Sequence, residues 1–223
     1  MIKHDELENL RPFTALSPAT RQAIARRAFR RKYHQGFTLV IEGAPAEYGY
    51  FVRSGQARVL RMSKDGRLQV LGRFGRGAPL NVISLLAGDR LNRASIEALT
   101  ELECLVLLAD DFDHLLHHHL DFSNMLLQIF AQRMAGMADL AASLSLYSVR
   151  ARLAQFLMEL AALPETASGW TQDEIAAHIG TVRDVVGRIL RDFETQGFIQ
   201  RSRERITLLD GLGLEAIAKE RET

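Results

Sequence analysis

Two helical patterns meet at one glycine in TQDEIAAHIGTVRDVVGRILRDF, residues 171–193, and no other stretch limits the fold so tightly. Thr171, with Glu174 three residues on, has the spacing of a capping box and predicts a helix start. Ile175, the small pair Ala176-Ala177 and Ile179 carry that helix to Gly180, a stop signal. In the next helix Val186, Ile189, Leu190 and Phe193 fall on one face at about 3.6 residues per turn. Arg183, Asp184, Gly187, Arg188 and Arg191 form the opposite stripe. Beyond it, GFIQRSRERITLL reads as two short strands around a charged turn. Helix, glycine turn, helix and hairpin in that order predict a winged helix-turn-helix.

A helix that reads duplex DNA needs one face buried on its scaffold and one face of long polar side chains. Arg183 and Arg188 suit bidentate contact to guanine, and Asp184 suits a cytosine amino group. Gly187 removes a side chain where the helix approaches the groove. Thr171, Thr181 and Arg191 complete the expected contact set, with Arg201, Arg203 and Arg205 of the hairpin on phosphates. A plainer reading stands beside this one. Exposed arginines are usually solvated, and Thr181 with Asp184 has capping spacing of its own. Charge does not single the region out. Asp173, Glu174, Asp184, Asp192, Glu194 and Glu204 match its six arginines.

The rest of the chain has a different texture. Residues 1–30 read as short helices, with Ser17 as cap, Pro18 at the first helical position and Ile24 and Phe29 as apolar anchors. From Tyr33 to about Leu108 short apolar runs are punctuated by glycines, and ARVLRMSKDGRLQVLGRF is the clearest hairpin, turning at Asp65-Gly66. These strands predict a small antiparallel roll or barrel. From Asp121 to Tyr147 the apolar stripe Phe122, Met125, Leu126, Ile129, Phe130, Met134, Met137, Leu140 and Leu144 predicts one long helix. That stripe outruns a small roll, so a second copy of the helix is its expected cover. Phe122, Leu126, Ile129, Phe130, Arg133, Met134, Met137, Leu140 and Leu144 are the candidate dimer seam; intrachain packing is the other reading. SVRARLAQFLMELAAL predicts a further helix capped by Ser148, followed by a loop at 164–169. The expected class is α+β: an antiparallel β-roll at 1–120, a dimerisation helix at 121–147 and a winged helix-turn-helix at 148–223.

The net charge of +1 advertises no polyanionic partner, and the single Cys104 excludes a disulfide framework or an all-cysteine cluster within one chain. MIKHDELENLRPF is charged where a signal peptide is apolar, and no run reaches membrane-span length, so the expected site of action is the cytoplasm. No nucleophile-plus-base arrangement or phosphate loop appears, and His34 is the only histidine in the strand-rich segment from Tyr33 to Leu108, which argues against an enzyme on a cupin-like barrel.

TQDEIAAHIGTVRDVVGRILRDFETQGFI resembles the helix-turn-helix of the cyclic-AMP receptor/fumarate-nitrate regulator (CRP/FNR) family. Gly180, Arg183, Val186 and Arg188 match that family's Gly-x-x-Arg-Glu-x-Val-x-Arg core, with Asp184 in place of glutamate. FTLVIEGAPAEYGYFVRSGQARVLRMSKDGRLQVLGRFGRG is similar to the family's sensor roll, with Glu42-Gly43, Gly55, Gly66 and Gly77 at its turns. The resemblance implies a cyclic-nucleotide-binding-like jelly roll and a homodimeric transcription regulator on an inverted-repeat operator. RNA polymerase is the implied further partner. A winged helix that binds protein in place of DNA is the alternative.

The resemblance also locates an effector pocket at Leu80, Asn81, Val82, Ile83, Leu86, Asn92, Arg93, Met125, Ile129 and Met137. Where cyclic-AMP-binding members carry Gly-Glu for ribose and Arg-Ser or Arg-Thr for phosphate, this chain has Asn81-Val82 and Asn92-Arg93. Met137-Ala138 replaces the hydroxyl pair at adenine. In a strand Arg93 points to the wrong face unless a bulge restores it. A cyclic-nucleotide response is therefore the weaker reading. A small apolar effector, or haem ligated by His34 or Met137, is preferred, with regulation without a ligand as the alternative, and an iron–sulfur cluster is excluded by the cysteine count. Cys104 reads as a buried inert thiol. His114, His117 and His118 have metal-chelating spacing, but an exposed helix end carries such residues without metal, and none is assigned.

Overall fold

The computed structural model describes residues 2, 7–62, 68–162, 170–202 and 205–220, without the side chains of 68, 69, 139 and 140. The Asp65-Gly66 turn, the 164–169 loop, Arg203 and the Leu140 side chain lie outside the described residues. The chain divides into two compact units, residues up to 132 and from 133 onward. The sequence pattern placed boundaries at 120 and 147. The difference arises because the first turns of the long helix pack into the first unit.

In the first unit Ser17 caps α1 (Pro18–Arg27), its hydroxyl accepting the Thr20 N–H at 3.2 Å. Among the described residues eight strands follow: β1 (Phe29–Tyr33), β2 (Thr38–Val40), β3 (Tyr48–Ser54), β4 (Ala57–Met62), β5 (Leu68–Phe74), β6 (Pro79–Leu80), β7 (Ser95–Ala98) and β8 (Leu102–Leu108). They form two antiparallel sheets, ordered β1-β8-β3-β6 and β2-β7-β4-β5. α2 (Val82–Leu86) interrupts them, and α3 (Ala109–His118) leads on from β8.

Strand periodicity explains the two cores. Tyr50, Val52, Cys104 and Val106 face inward and meet Val40, Ala57, Ile96 and Ala98 of the other sheet. Phe51, Leu105 and Leu107, on the reverse of the same sheet, pack against Phe13, Ile24, Phe112 and Phe122. Phe13 and Phe51 rings lie 4.8 Å apart, and Phe112 and Phe122 5.6 Å.

The helical expectation for residues 1–30 holds only to Arg27. Phe29 is 39 % exposed and opens β1, paired with Val106 at one sheet edge. Charges on an edge strand keep it from pairing with other chains, and they hide its strand character from a hydrophobic pattern.

The long helix is α4 (Leu120–Leu146). Phe122, Met125 and Leu126 are buried in the roll's outer core, with Ile129 and Phe130 half-buried against it. This corrects two assignments. Phe122 and Leu126 have no surface left for a dimer seam, and Met125 is a core residue and not a pocket wall. Met134 and Met137 are each 71 % exposed, and Leu144 is exposed as well.

The second unit packs α5 (Val149–Ala162), α6 (Gln172–Ile179), α7 (Arg183–Thr195), β9 (Ile199–Arg201), β10 (Ile206–Leu208) and α8 (Gly211–Ala218) around Leu153, Phe156, Ile175, Val186, Leu190, Phe193 and Leu214. Ser148 caps α5 by accepting the Ala151 N–H at 3.1 Å. The expected α+β class is the observed one. α8 was missed: Asp210 caps it through the Gly213 N–H, and Leu214 and Ile217, one turn apart, face the core.

Candidate nucleic-acid interface and sensor cavity

The capping box of α6 is complete. Thr171 Oγ1 accepts the Glu174 N–H at 3.2 Å, and Glu174 Oε2 accepts the Thr171 N–H at 2.9 Å. Thr171 is thereby committed to its own helix. Gly180 ends α6 at φ 69°, where a Cβ would collide with Leu144. α7 starts after Val182, an N-cap with no side-chain hydrogen bond. The Thr181–Asp184 cap is therefore not formed, and Asp184 sits exposed in the first turn of α7.

The two faces of α7 are as the pattern requires. Val186, Ile189, Leu190 and Phe193 are buried, while Arg183, Asp184, Arg188 and Arg191 are exposed. Gly187 approaches α6, and a Cβ there would stand 2.9 Å from Gln172 Oε1, the end of a flexible side chain. The glycine thus serves helix–helix packing as well as the outward stripe.

Three of the five described acids that balanced the arginines in the sequence are spent inside the unit. Glu174 is in the capping box. Asp192 pairs with Arg150, whose guanidinium also lies 4.9 Å from the Phe193 ring centre. Glu194 pairs with Arg201, holding its carboxyl below the usual range. In this structure the Arg201 guanidinium, expected on a phosphate, is paired with Glu194 on the scaffold. Arg183 Nη1 stands 3.5 Å from Asp173 in an exposed pair, which is weak. Arg188 has no hydrogen bond or ion pair among the described residues, and Arg191 Nε donates only to the Gly187 carbonyl.

In the roll a cavity of about 260 Å³ opens between the sheets, bordered by Arg31, Tyr33, Glu47, Tyr48, Tyr50, Asn81 and Asn92 among others. Asn81 and Asn92 are the only members of the expected pocket to reach it. Asn81 Nδ2 donates to Asn92 Oδ1 at 2.9 Å and to the Tyr48 carbonyl at 3.0 Å, while Asn92 Nδ2 donates to the Ile41 carbonyl at 3.0 Å. Leu80 lies in the inter-sheet core, Val82 turns into the outer core, and Ile83, Leu86 and Arg93 are exposed. Arg93 Nη2 donates to Asp89 at 2.8 Å, so no bulge restores it. Ile129 packs on the outer core and Met137 falls in the second unit.

The lining is mixed: Leu39, Val40, Ile41, Ala44 and Pro45 stand beside Arg31, Glu47, Asn81, Asn92 and the ring side chains Tyr33, Phe37, Tyr48 and Tyr50, so it is not the wholly apolar pocket expected. The Tyr33 hydroxyl is buried next to that of Tyr50, and burial pushes its phenol up to about 12, with Arg31 opposing. The guanidinium carbon of Arg31 stands 5.6 Å from the Tyr33 ring centre. The residues do not fit cyclic AMP by the family's ligating pairs, since Val82 and Arg93 both turn away. They do not fit haem through His34, which is exposed and bonded to the Gln35 carbonyl, or through Met137. Cys104 is fully buried and its thiol is pushed up to about 12.

His114, His117 and His118 sit on α3. His114 and His118 rings are 4.5 Å apart, and His117 Nδ1 meets the Asp113 carbonyl. Among the described residues no group of three metal-binding side chains converges. No helix of the described residues is long and apolar enough to cross a membrane.

Residues 30–119 match the model of the cyclic nucleotide-binding domain, and residues 151–217 that of the Crp-like helix-turn-helix domain. The chain is 26 % identical over 207 residues to the CRP-like cAMP-activated global transcriptional regulator of Mycobacterium tuberculosis, covering 89 % of this chain and 92 % of that one. It is 29 % identical over 175 residues to the cAMP-activated global transcriptional regulator CRP of Pasteurella multocida, covering 75 % and 84 %. A CRP-family transcriptional regulator from Thermus thermophilus superposes with TM-score 0.69 at 25 % identity, covering 86 % of this chain and 98 % of that chain. The c-di-GMP responsive global regulator CLP of Xanthomonas campestris shares the fold, with TM-score 0.75 at 21 % identity over 87 % and 100 %. A sensor roll joined through a long helix to a winged helix-turn-helix defines a DNA-binding transcription regulator with an effector-binding domain, not an enzyme. The chain belongs to the CRP/FNR family.

Proposed function

We propose that the chain acts in the cytoplasm as a homodimer on an inverted-repeat operator in double-stranded DNA, with RNA polymerase as its further partner. Arg183, Asp184 and Arg188 of α7 read bases, and Arg191, Arg203 and Arg205 meet phosphates. The observation that carries this reading is α7 itself, with four apolar residues buried on one face and the Arg-Asp-Arg stripe exposed on the other. The dimer seam is the exposed stripe of α4, around Met134, Met137 and Leu144, flanked by Arg133. Large apolar side chains standing in water along one helix are a cost that a second copy removes.

Control comes from a small molecule in the roll cavity, and that molecule is not cyclic AMP. The lining favours a ligand with hydrogen-bonding groups on an aromatic body, placed among Tyr33, Tyr48 and Tyr50 near Arg31 and Asn81. Selection of binding sites from random DNA tests the first half. An inverted repeat that loses definition in Arg183→Ala supports it, and identical motifs from both proteins defeat it.

A further inference from the structure

Arg152, in the first turns of α5, is 7 % exposed, and no acid among the described residues neutralises it. Its Nη1 donates to the Leu144 carbonyl at 3.2 Å, while Nε is buried with no hydrogen-bond partner among the described residues. A buried guanidinium short of partners is costly. Nη2 makes no hydrogen bond among the described residues and is not enclosed as Nε is, so it is the donor left to hold a carboxylate by a charge-assisted bond.

This guanidinium borders a cavity of about 400 Å³ within the second unit, a volume suited to a small molecule. Phe156 and Ile179 supply its apolar wall. His178 also lines it, its ring 5.1 Å from Phe156 and 5.6 Å from Trp170. Desolvation on that side lowers the imidazole below its usual range, against the pull of Glu159, although part of the residue stays exposed. The ring is therefore neutral at neutral pH, and Arg152 is the cation of the lining. Glu159, the one acid there, stands at the solvent edge and disfavours multiply charged ligands.

We propose that this cavity binds a small organic monoacid, its carboxylate on Nη2 of Arg152 and its apolar body against Phe156 and Ile179. The site goes beyond the roll effector and does not depend on it. Gly136 and Ser143, which line the cavity from α4, lie two turns apart on one helix face. Around the helix from that face Leu144 lies about a quarter of a turn away, Met137 about a third and Met134 about half, so a partner helix centred on the methionines leaves this flank open. The bound acid touches the end of α4, the start of α5 and the helix before α7, so it acts on the elements that carry the DNA-reading helix.

Trp170 is the only tryptophan of the chain, and its ring lies 5.0 Å from Phe156, which makes its fluorescence a local reporter. The full chain is titrated with benzoate, its uncharged analogue benzamide, and inorganic phosphate. The expected result is a saturable emission change with benzoate at a Kd of about 1 mM or tighter, with benzamide and phosphate at least about tenfold weaker. Arg152→Gln removes the benzoate response. Ser143→Leu, at a half-buried wall position, weakens it at least about tenfold with an unchanged melting curve, and decides the matter if Arg152→Gln does not fold. No saturable change in the wild type, equal responses to benzoate and benzamide, or undiminished binding in Ser143→Leu and a folded Arg152→Gln would each overturn the assignment. DNA binding measured on the same protein separates this outcome from any failure of the operator reading.

Discussion

Arg201 grips Glu194 three times: its backbone N–H donates to Oε1 at 3.1 Å, and Nε and Nη2 donate to Oε2 at 2.9 and 2.6 Å. The first strand of the wing is thus tied to the last turn of α7. The pair depresses the Glu194 carboxyl, chiefly through the Arg201 side-chain bond. A depressed carboxyl contributes stability that is present above its unfolded pKa and lost as pH falls through the folded one. Arg201→Ala should therefore lower the melting temperature at neutral pH, and the difference from wild type should shrink on acidification. The salt dependence of DNA binding should stay as in wild type. A slope reduced by about one phosphate contact would show that Arg201 leaves Glu194 for the DNA.

Arg183→Ala and Arg188→Ala should each cost roughly 1–3 kcal/mol on the cognate operator, with preference relaxed at one base pair per half-site. Because α7 has no side-chain cap, Asp184→Ala should change sequence preference at near-normal stability. Site selection with a melting curve for each variant checks both. A large fall in melting temperature with an unchanged motif would assign Asp184 to the helix and not to a base.

Met134→Glu should shift the protein from dimer to monomer in sedimentation at micromolar concentration, because an unpaired carboxylate in an apolar seam is costly. Phe122→Ala should behave differently. It excavates the fully buried outer core and should cost about 3–5 kcal/mol of roll stability. A wild type that sediments as a monomer would defeat the seam.

Cyclic AMP should produce no saturable heat in calorimetry at micromolar concentrations. Val82 is buried in the outer core and Arg93 is paired with Asp89 at the surface, so neither is available to the ligand. Saturable binding would mean that the segment between α2 and β7 rearranges around the nucleotide.

The Cys104 thiol should resist iodoacetamide at pH 8 in the folded protein. Burial pushes it up to about 12, so little thiolate exists, and the side chain is fully enclosed. Mass spectrometry should find alkylation only after denaturation. Rapid labelling of native protein would show that the two sheets part readily.

What local chemistry governs was legible in the sequence. The Thr171–Glu174 box, the Gly180 stop, the amphipathic α7 and the caps at Ser17 and Ser148 each depend on residues within a turn or two, and each formed. Three matters waited for the tertiary structure. The stripe from Phe122 to Leu144 is uniform in sequence, but only its first turns meet the roll, so Phe122 and Leu126 are covered while Met134 and Met137 are not. The charge balance of residues 171–205 concealed the exposed stripe, because pairing depends on where side chains stand: Arg150 takes Asp192 and Arg201 takes Glu194. The cavity walls come from β1, the β2–β3 region, Asn81 and Asn92, segments far apart along the chain. Periodicity reports which face of one element is apolar. Which other element covers that face, and which charge answers which, is decided only when distant segments meet.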